Sequence, residues 1–496
     1  MNWPTWLPLR KDLTPLTPYG APQVPAQASL NTNENPYSPS PALQKAIADA
    51  VMVAAANLNR YPDRDANELR TKLAGYINST SKVNLTIENI WAANGSNEII
   101  QSIFLAFGQG SALGFTPSYS MHPLIAKVCG TNWVDGKRNS DFSLNVELAI
   151  EQIVQIKPAL TFITTPNNPT GGSVSISQIK SLADAVLVAA ANLNRYPDRD
   201  ASELRSKLAG YINSTSKVNL TIDNIWAANG SNEIIQSIFL AFGQGSALGF
   251  TPSYSMHPLI AKVCGTNWVD GKRNSDFSLN VELAVEQIVQ VKPALTFITT
   301  PNNPTGGSVS LSQIKLLADA VAKVNGLLIV DEAYAEFSTE DSAVTLIAKN
   351  PHVVVIRTMS KAFAFAGARV GYMVCDSSVK DAMMLVRLPY HLSALTQAAA
   401  SVAIDFKDEL LGYVSELIRA REALTEQLHA LGLKVVPSSA NFILFTGFKA
   451  EAPKLWSELL GKGVLIRDVG LPGYLRVTVG NEAENTLFIT ALKELI

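Results

Sequence analysis

The sequence predicts an α/β fold with a mostly parallel central sheet covered by helices. Short apolar runs rich in Val, Ile, Leu and Phe alternate with longer amphipathic stretches, as in successive βα units. Three of those runs end in polar clusters, as strands do when their carboxyl ends face a ligand crevice. At 496 residues, 47% hydrophobic and 17% charged, the chain is long enough to bury more than one core.

Composition removes several function classes. A net charge of −2 with no long basic stretch gives no electrostatic reason for nucleic acid or anionic membrane as a partner. Cys129, Cys264 and Cys375 form no CxxC pair and no Cys/His cluster, so no zinc site and no disulfide framework are expected, only reduced thiols of a cytoplasmic protein. The five His show no ligand spacing, and His122 and His257 read as loop or core residues. The first fifteen residues carry charges and three prolines instead of an apolar run, and no stretch is long enough to span a bilayer, so neither a signal peptide nor a membrane helix is expected.

Self-similarity governs the organisation. Residues 52–186 recur as 187–321 at an offset of 135, with eight differences, among them Asn67/Ser202, Glu88/Asp223 and Ile176/Leu311. Ala-Asp-Ala-Val stands at 48–51, 183–186 and 318–321, as unequal recombination through a short homology would leave it. The unit is domain-sized, so this is no solenoid, whose units run to about 20–50 residues. Removing one copy leaves 496 − 135 = 361 residues.

In chain order, Asn229-Gly230-Ser231-Asn232-Glu233 precedes the helical pattern Ile234, Ile235, Ile238, Phe239, whose first backbone amides would make an anion site. Ala294–Thr299 reads as a strand running into Thr300-Pro301-Asn302-Asn303-Pro304. Gly326–Val330 runs into Asp331-Glu332-Ala333-Tyr334, and His352–Arg357 into Thr358-Met359-Ser360-Lys361. Taken singly, each cluster has a plain structural reading as a turn, a strand-end cap, a surface charge or a helix N-cap. Taken together, Asn303, Asp331, Tyr334, Ser360 and Lys361 should converge on one crevice.

A lysine at a strand end beside an acidic residue and a helix N-terminus suits pyridoxal phosphate. Lys361 would form the Schiff base and then carry the proton as base and acid. Asp331 would keep the ring nitrogen protonated, while Asn303 and Tyr334 would bond the phenolic oxygen and Tyr254 would stack on the ring. Arg369, Ser360 and the amides at Ser231 and Asn232 would hold the phosphate.

The same residues lie in motifs that carry a resemblance: LTPYGAP (16–22), LNTNENP (30–36), NRYPD (59–63 and 194–198), GSNE, TPSYSM, TPNNPTGG, VDEAYAEF (330–337), TMSKAFAFAGARVGY (358–372), ANFIL (440–444) and IRDVG…LRVTVG (466–480). Over nearly all of the 361-residue reduced chain the sequence resembles the fold-type I PLP-dependent aminotransferases, and among them those acting on histidinol phosphate. The resemblance implies a two-domain homodimer, with a PLP-binding large domain and a small domain from both chain ends. It also implies transamination between histidinol phosphate and 2-oxoglutarate, giving glutamate, in histidine biosynthesis. Tyr196 or Tyr61 would reach the PLP phosphate of the other subunit, and Tyr19, Arg467 and Arg476 would grip the anionic end of the substrate. Asn33, in NENP, is a weaker substrate-binding candidate. An aromatic amino-acid aminotransferase, a PLP decarboxylase of a phosphorylated amino acid, and a chain whose duplication prevents assembly are the competing readings.

Asp331 and everything beyond it exist once, so one copy must be extra. Using 187–321 places the insertion after Val51, near a helix end, where insertions are best tolerated. Using 52–186 would break the helix before the strand bearing Asp331. The expected division is therefore an arm (1–51) joining the small domain, an extra copy (52–186), a large domain (187–400) and a small domain (401–496). The displaced copy would expose apolar surface, swap with another chain, remain partly unfolded, or dock where it blocks the Tyr61/Tyr196 contact.

Overall fold

The computed structural model describes residues 3–16, 39–108, 110–183, 200–388 and 391–496. Thirteen strands in these residues form three sheets. The first holds β1 (Ser111–Thr116), β2 (Asn132–Lys137) and β3 (Leu160–Phe162), in the order β2-β1-β3. The second holds β4 (Ile225–Ala228), β5 (Ser246–Thr251), β6 (Asn267–Lys272), β7 (Leu295–Thr299), β8 (Leu327–Asp331), β9 (Val353–Thr358) and β10 (Gly371–Val374). Its order is β4-β10-β9-β8-β7-β5-β6, with only β10 antiparallel to its neighbours. The third, antiparallel, joins β11 (Lys434–Val436), β12 (Phe442–Thr446) and β13 (Leu475–Thr478), and packs against helices Lys407–Ala430, Ala452–Gly461 and Glu482–Lys493.

The central sheet is buried on both faces, which is why its strands read as continuous apolar runs. Leu328, Val330, Val353 and Val355 pack into one core, while Leu327, Ile329, Val354 and Ile356 pack into another on the opposite face. The three strands expected from the sequence all form, each starting one residue later than read.

All strands that the repeat contributes to this sheet come from 187–321, while 52–186 builds the separate three-stranded sheet. Near-identical sequences thereby meet two environments. Trp226, Phe242, Tyr211 and Leu204 are almost fully buried. Their counterparts Trp91, Phe107, Tyr76 and Leu69 are 61%, 65%, 65% and 52% exposed. Ile225–Ala228 is a strand because β10 pairs with it, whereas residues 90–93 have no such neighbour and form none. Likewise β7 runs for five residues beside β8, and its counterpart β3 for three. The extra copy does expose apolar surface, as these four side chains show.

The described start of the arm departs from expectation. Residues 3–16 do not join the small domain but pack on the central sheet's helices, because Leu7, Leu9 and Leu13 insert beside Ile238 and Ala241. Arg10 fixes this seat: its guanidinium donates to the carbonyls of Lys127 and Val128 in the first copy and of Leu240 in the second, at 3.2, 2.7 and 3.0 Å. The helix Pro41–Ala55 runs through the expected insertion point at Val51 and has no buried residue.

Candidate active site

A cavity of about 150 Å³ opens at the carboxyl ends of β7, β8 and β9. Tyr61, Ser231, Asn232, Tyr254, Asn303 and Asp331 line it together with Tyr334, Ser360, Lys361, Arg369 and Arg476. Of the site residues read from the sequence, these ten besides Tyr61 are brought together. Tyr19, Asn33 and Tyr196 lie outside the described residues. Arg467 is exposed and does not line the cavity; its backbone pairs with that of Arg476 at 2.9 Å in both directions, so the bridge brings the two backbones together without bringing the side chain in.

Asp331 ends β8 and is 3% exposed. Its Oδ1 accepts from the Ala333 amide at 3.1 Å. Its Oδ2 lies 3.2 Å from His257 Nε2, off hydrogen-bonding alignment, so the contact is an ion pair only when the imidazole is protonated. His257 was read as a loop or core residue. It is buried, but packed edge-on against Tyr254, which is the one signal for its place: it falls one helical turn after that residue. Its counterpart in the first copy, His122, is pushed down to about 4 by burial. Tyr254 donates to Asn232 Oδ1 at 3.1 Å, and burial, then the Asp331 charge, push its phenol up to about 12, so it stays neutral.

At the other wall Asn303 donates to Tyr334 Oη at 3.4 Å and accepts from Arg476 Nη1 at 2.6 Å. Arg476 also lies over the Phe442 ring at 4.7 Å, and its buried Nε has no hydrogen-bond partner among the described residues. Lys361 follows β9, with Nζ 5.5 Å from the Tyr334 ring centre and 3.5 Å from Tyr61 Oη. Burial disfavours its ammonium, but the oxygens of Tyr334 and Tyr61 outweigh this, and the lysine titrates above its ordinary value. Because attack on an aldehyde needs the neutral amine, capture of one should speed up as pH rises through that raised midpoint. Tyr334→Phe removes the largest favourable contribution and leaves the burial, so the midpoint should move down; the rate of aldehyde capture by the apo protein against pH measures this.

The end of the cavity at the helix Ser231–Phe242 is built for an anion. Gly230, at φ +78°, lets Arg369 approach: a Cβ there would fall 2.6 Å from its Nη2. A Cβ on Gly371 would fall 2.4 Å from the Ser231 amide nitrogen. With a cation and helix amides at one end, a buried carboxylate on the floor and an amine beside them, the residues fit a phosphorylated pyridine aldehyde. Among the described residues no cluster of His, Cys, Asp and Glu is placed to hold a metal ion, and no helix is long and apolar enough to cross a membrane. Cys129 and Cys264 are free, their thiols pushed up to about 12 chiefly by burial.

A doubly covered, mostly parallel sheet that gathers a lysine, a carboxylate and an anion-binding helix end at the carboxyl ends of its strands has the parts of a pyridoxal-phosphate-dependent enzyme. The model of the family Aminotransferase class I and II matches residues 25–188 and again 185–492, and the chain belongs to that family. The two matches meet where the repeat does. Histidinol-phosphate aminotransferases of Mycobacterium sp. (strain JLS) and Mycolicibacterium smegmatis are similar to it at 51% and 50% identity over 337 and 336 residues. Each match covers 67% of this chain, with 88% and 87% of the respective relative. Among solved structures, the histidinol-phosphate aminotransferase of Clostridium acetobutylicum matches with a TM-score of 0.56 at 26% identity, over 61% of this chain and 91% of that one.

Proposed function

We propose that the chain is a pyridoxal-phosphate-dependent aminotransferase that moves the amino group of L-histidinol phosphate to 2-oxoglutarate, in histidine biosynthesis in the cytoplasm. The observation that carries this is the convergence of Lys361, Asp331 and Arg369 on one cavity whose opposite wall holds an arginine with a spare buried donor. The cofactor, when bound, supplies an electron sink for the substrate's Cα–H bond. Asp331, backed by His257, would hold a proton at its ring nitrogen, and Asn303 and Tyr334 would meet its phenolic oxygen. Arg369, Ser360 and the amides of Ser231 and Asn232 would hold its phosphate, and Tyr254 would flank the ring. Lys361 Nζ would bind the cofactor and move the proton at the substrate Cα. The second copy, 187–321, builds this large domain together with the single-copy residues up to 400.

Arg476 binds the anionic end of both substrates, since one guanidinium fork suits phosphate and carboxylate alike. Arg476→Lys keeps the charge but loses the fork. It should raise KM for histidinol phosphate and for 2-oxoglutarate together, by roughly 10- to 100-fold each. A change in only one would count against a shared anion site. The similarity of the curated relatives supports histidinol phosphate over an aromatic amino acid, and catalytic efficiency for histidinol phosphate against phenylalanine tests it. The proposed assembly is a homodimer, to be checked by sedimentation velocity.

A further inference from the structure

The first copy does more than hang beside the enzyme. Its residues 58–61 sit in the candidate site of the same chain: Leu58 O accepts from the Gly367 amide at 2.8 Å, and Tyr61 Oη lies 3.5 Å from Lys361 Nζ. The Tyr61 ring also lies under the Arg369 guanidinium at 5.2 Å. The loop between Lys361 and Arg369 is shaped to this segment, since a Cβ on Gly367 would fall 2.8 Å from the Arg60 carbonyl oxygen. Where the two copies touch, equivalent residues meet. Leu105 and Leu240 share one apolar cluster. Glu98 is held above the usual carboxylate range, by burial first and by the charge of its counterpart Glu233 as well. The thiol of Cys129 likewise feels that of its counterpart Cys264. Pairing of equivalents is how an isologous, two-fold contact is built, here between two halves of one chain.

From this geometry we infer that the extra copy completes the cofactor site in cis: Tyr61 of the first copy closes the cavity between Lys361 and Arg369 of its own chain, so the site needs no residue from another chain. The inference rests on the cofactor reading above. It specifies which of two identical NRYPD segments works, and for which site. Tyr61→Phe should then weaken pyridoxal phosphate binding about tenfold or more, as loss of a hydrogen bond in a charged site does. Tyr196→Phe should leave it unchanged.

The test is a titration of apo protein with pyridoxal phosphate, followed by the visible absorbance of lysine-bound cofactor, for wild type, Y61F and Y196F, each checked for an unchanged thermal melt. A second sample co-expresses Lys361→Ala chains with Y61F chains, in which only the Y61F chain can bind cofactor through its lysine. Action in cis predicts that the Y61F defect persists in the mixture. Recovery of wild-type affinity there, or a defect in Y196F and not in Y61F, would overturn the inference while leaving the cofactor reading intact. If wild-type protein fails to bind pyridoxal phosphate at all, the cofactor reading falls, and this inference with it.

Discussion

Lys361→Ala protein should fold and take up pyridoxal phosphate reversibly, yet lose transamination by about 10⁴-fold, the upper end of what one proton-transferring side chain contributes. No other described amine lines the cavity: Lys361 is the only lysine among its described walls. Single-turnover kinetics of the pre-loaded variant with histidinol phosphate give the direct measure. A loss below tenfold would mean that another group moves the proton at Cα. Because Nζ makes a single long hydrogen bond to a described residue, 3.5 Å to Tyr61, and otherwise sits over the Tyr334 ring at 5.5 Å, the alanine should change unfolding stability little, and the activity loss can be read as chemistry.

The second large effect belongs to a residue outside the cavity. Glu332→Ala should lower the unfolding free energy by roughly 3 kcal/mol, since it leaves the buried Arg357 guanidinium with only the longer 3.4 Å pair to Glu336 among the described carboxylates. Glu332 and Arg357 are 3% and 5% exposed, and Arg357 donates to Glu332 Oε2 from Nε at 3.1 Å and from Nη2 at 2.9 Å. The carboxylate also accepts from Ser342 Oγ and the Ala343 amide, both at 2.7 Å. Glu332→Gln, which keeps the shape and part of the hydrogen bonding, should cost distinctly less. Urea denaturation of both variants decides it, and equal losses would show that packing, not charge compensation, is what the residue provides. Glu332 directly follows Asp331, so a weakened network should also loosen the strand end that carries the site.

Much of the site is legible in the sequence. Strand ends are legible because a strand buried on both faces must be apolar until it leaves the sheet, and the residue where polarity returns is the residue at the crevice. Asp331, Asn303 and Lys361 were found that way. His257 was missed because nothing in a single buried histidine announces its partner, and Asp331 is 74 positions away in sequence (331 − 257). Arg467 was carried in by its motif, but an antiparallel backbone bridge does not oblige both side chains to face the same way, and only Arg476 lines the cavity. Where residues 3–16 pack is not legible because their leucines look alike to any apolar surface, and the choice is made by carbonyls at two helix ends that Arg10 reaches. Tyr61 against Tyr196 could not be decided from sequence at all, because the two segments are identical.

The burial contrast between the copies bears on how the gene will change. Selection should act on Trp226, which is almost fully buried in the central sheet, and have little to hold onto at Trp91, which is 61% exposed. The same holds for Phe242 against Phe107 and Tyr211 against Tyr76. Two near-identical texts are thus read under unequal constraint, and the first should drift toward polar residues at these sites while keeping Leu58 and Tyr61. A mutational scan of both copies in a histidine auxotroph would show that divergence in advance, as tolerance at positions 76, 91 and 107 and intolerance at 211, 226 and 242.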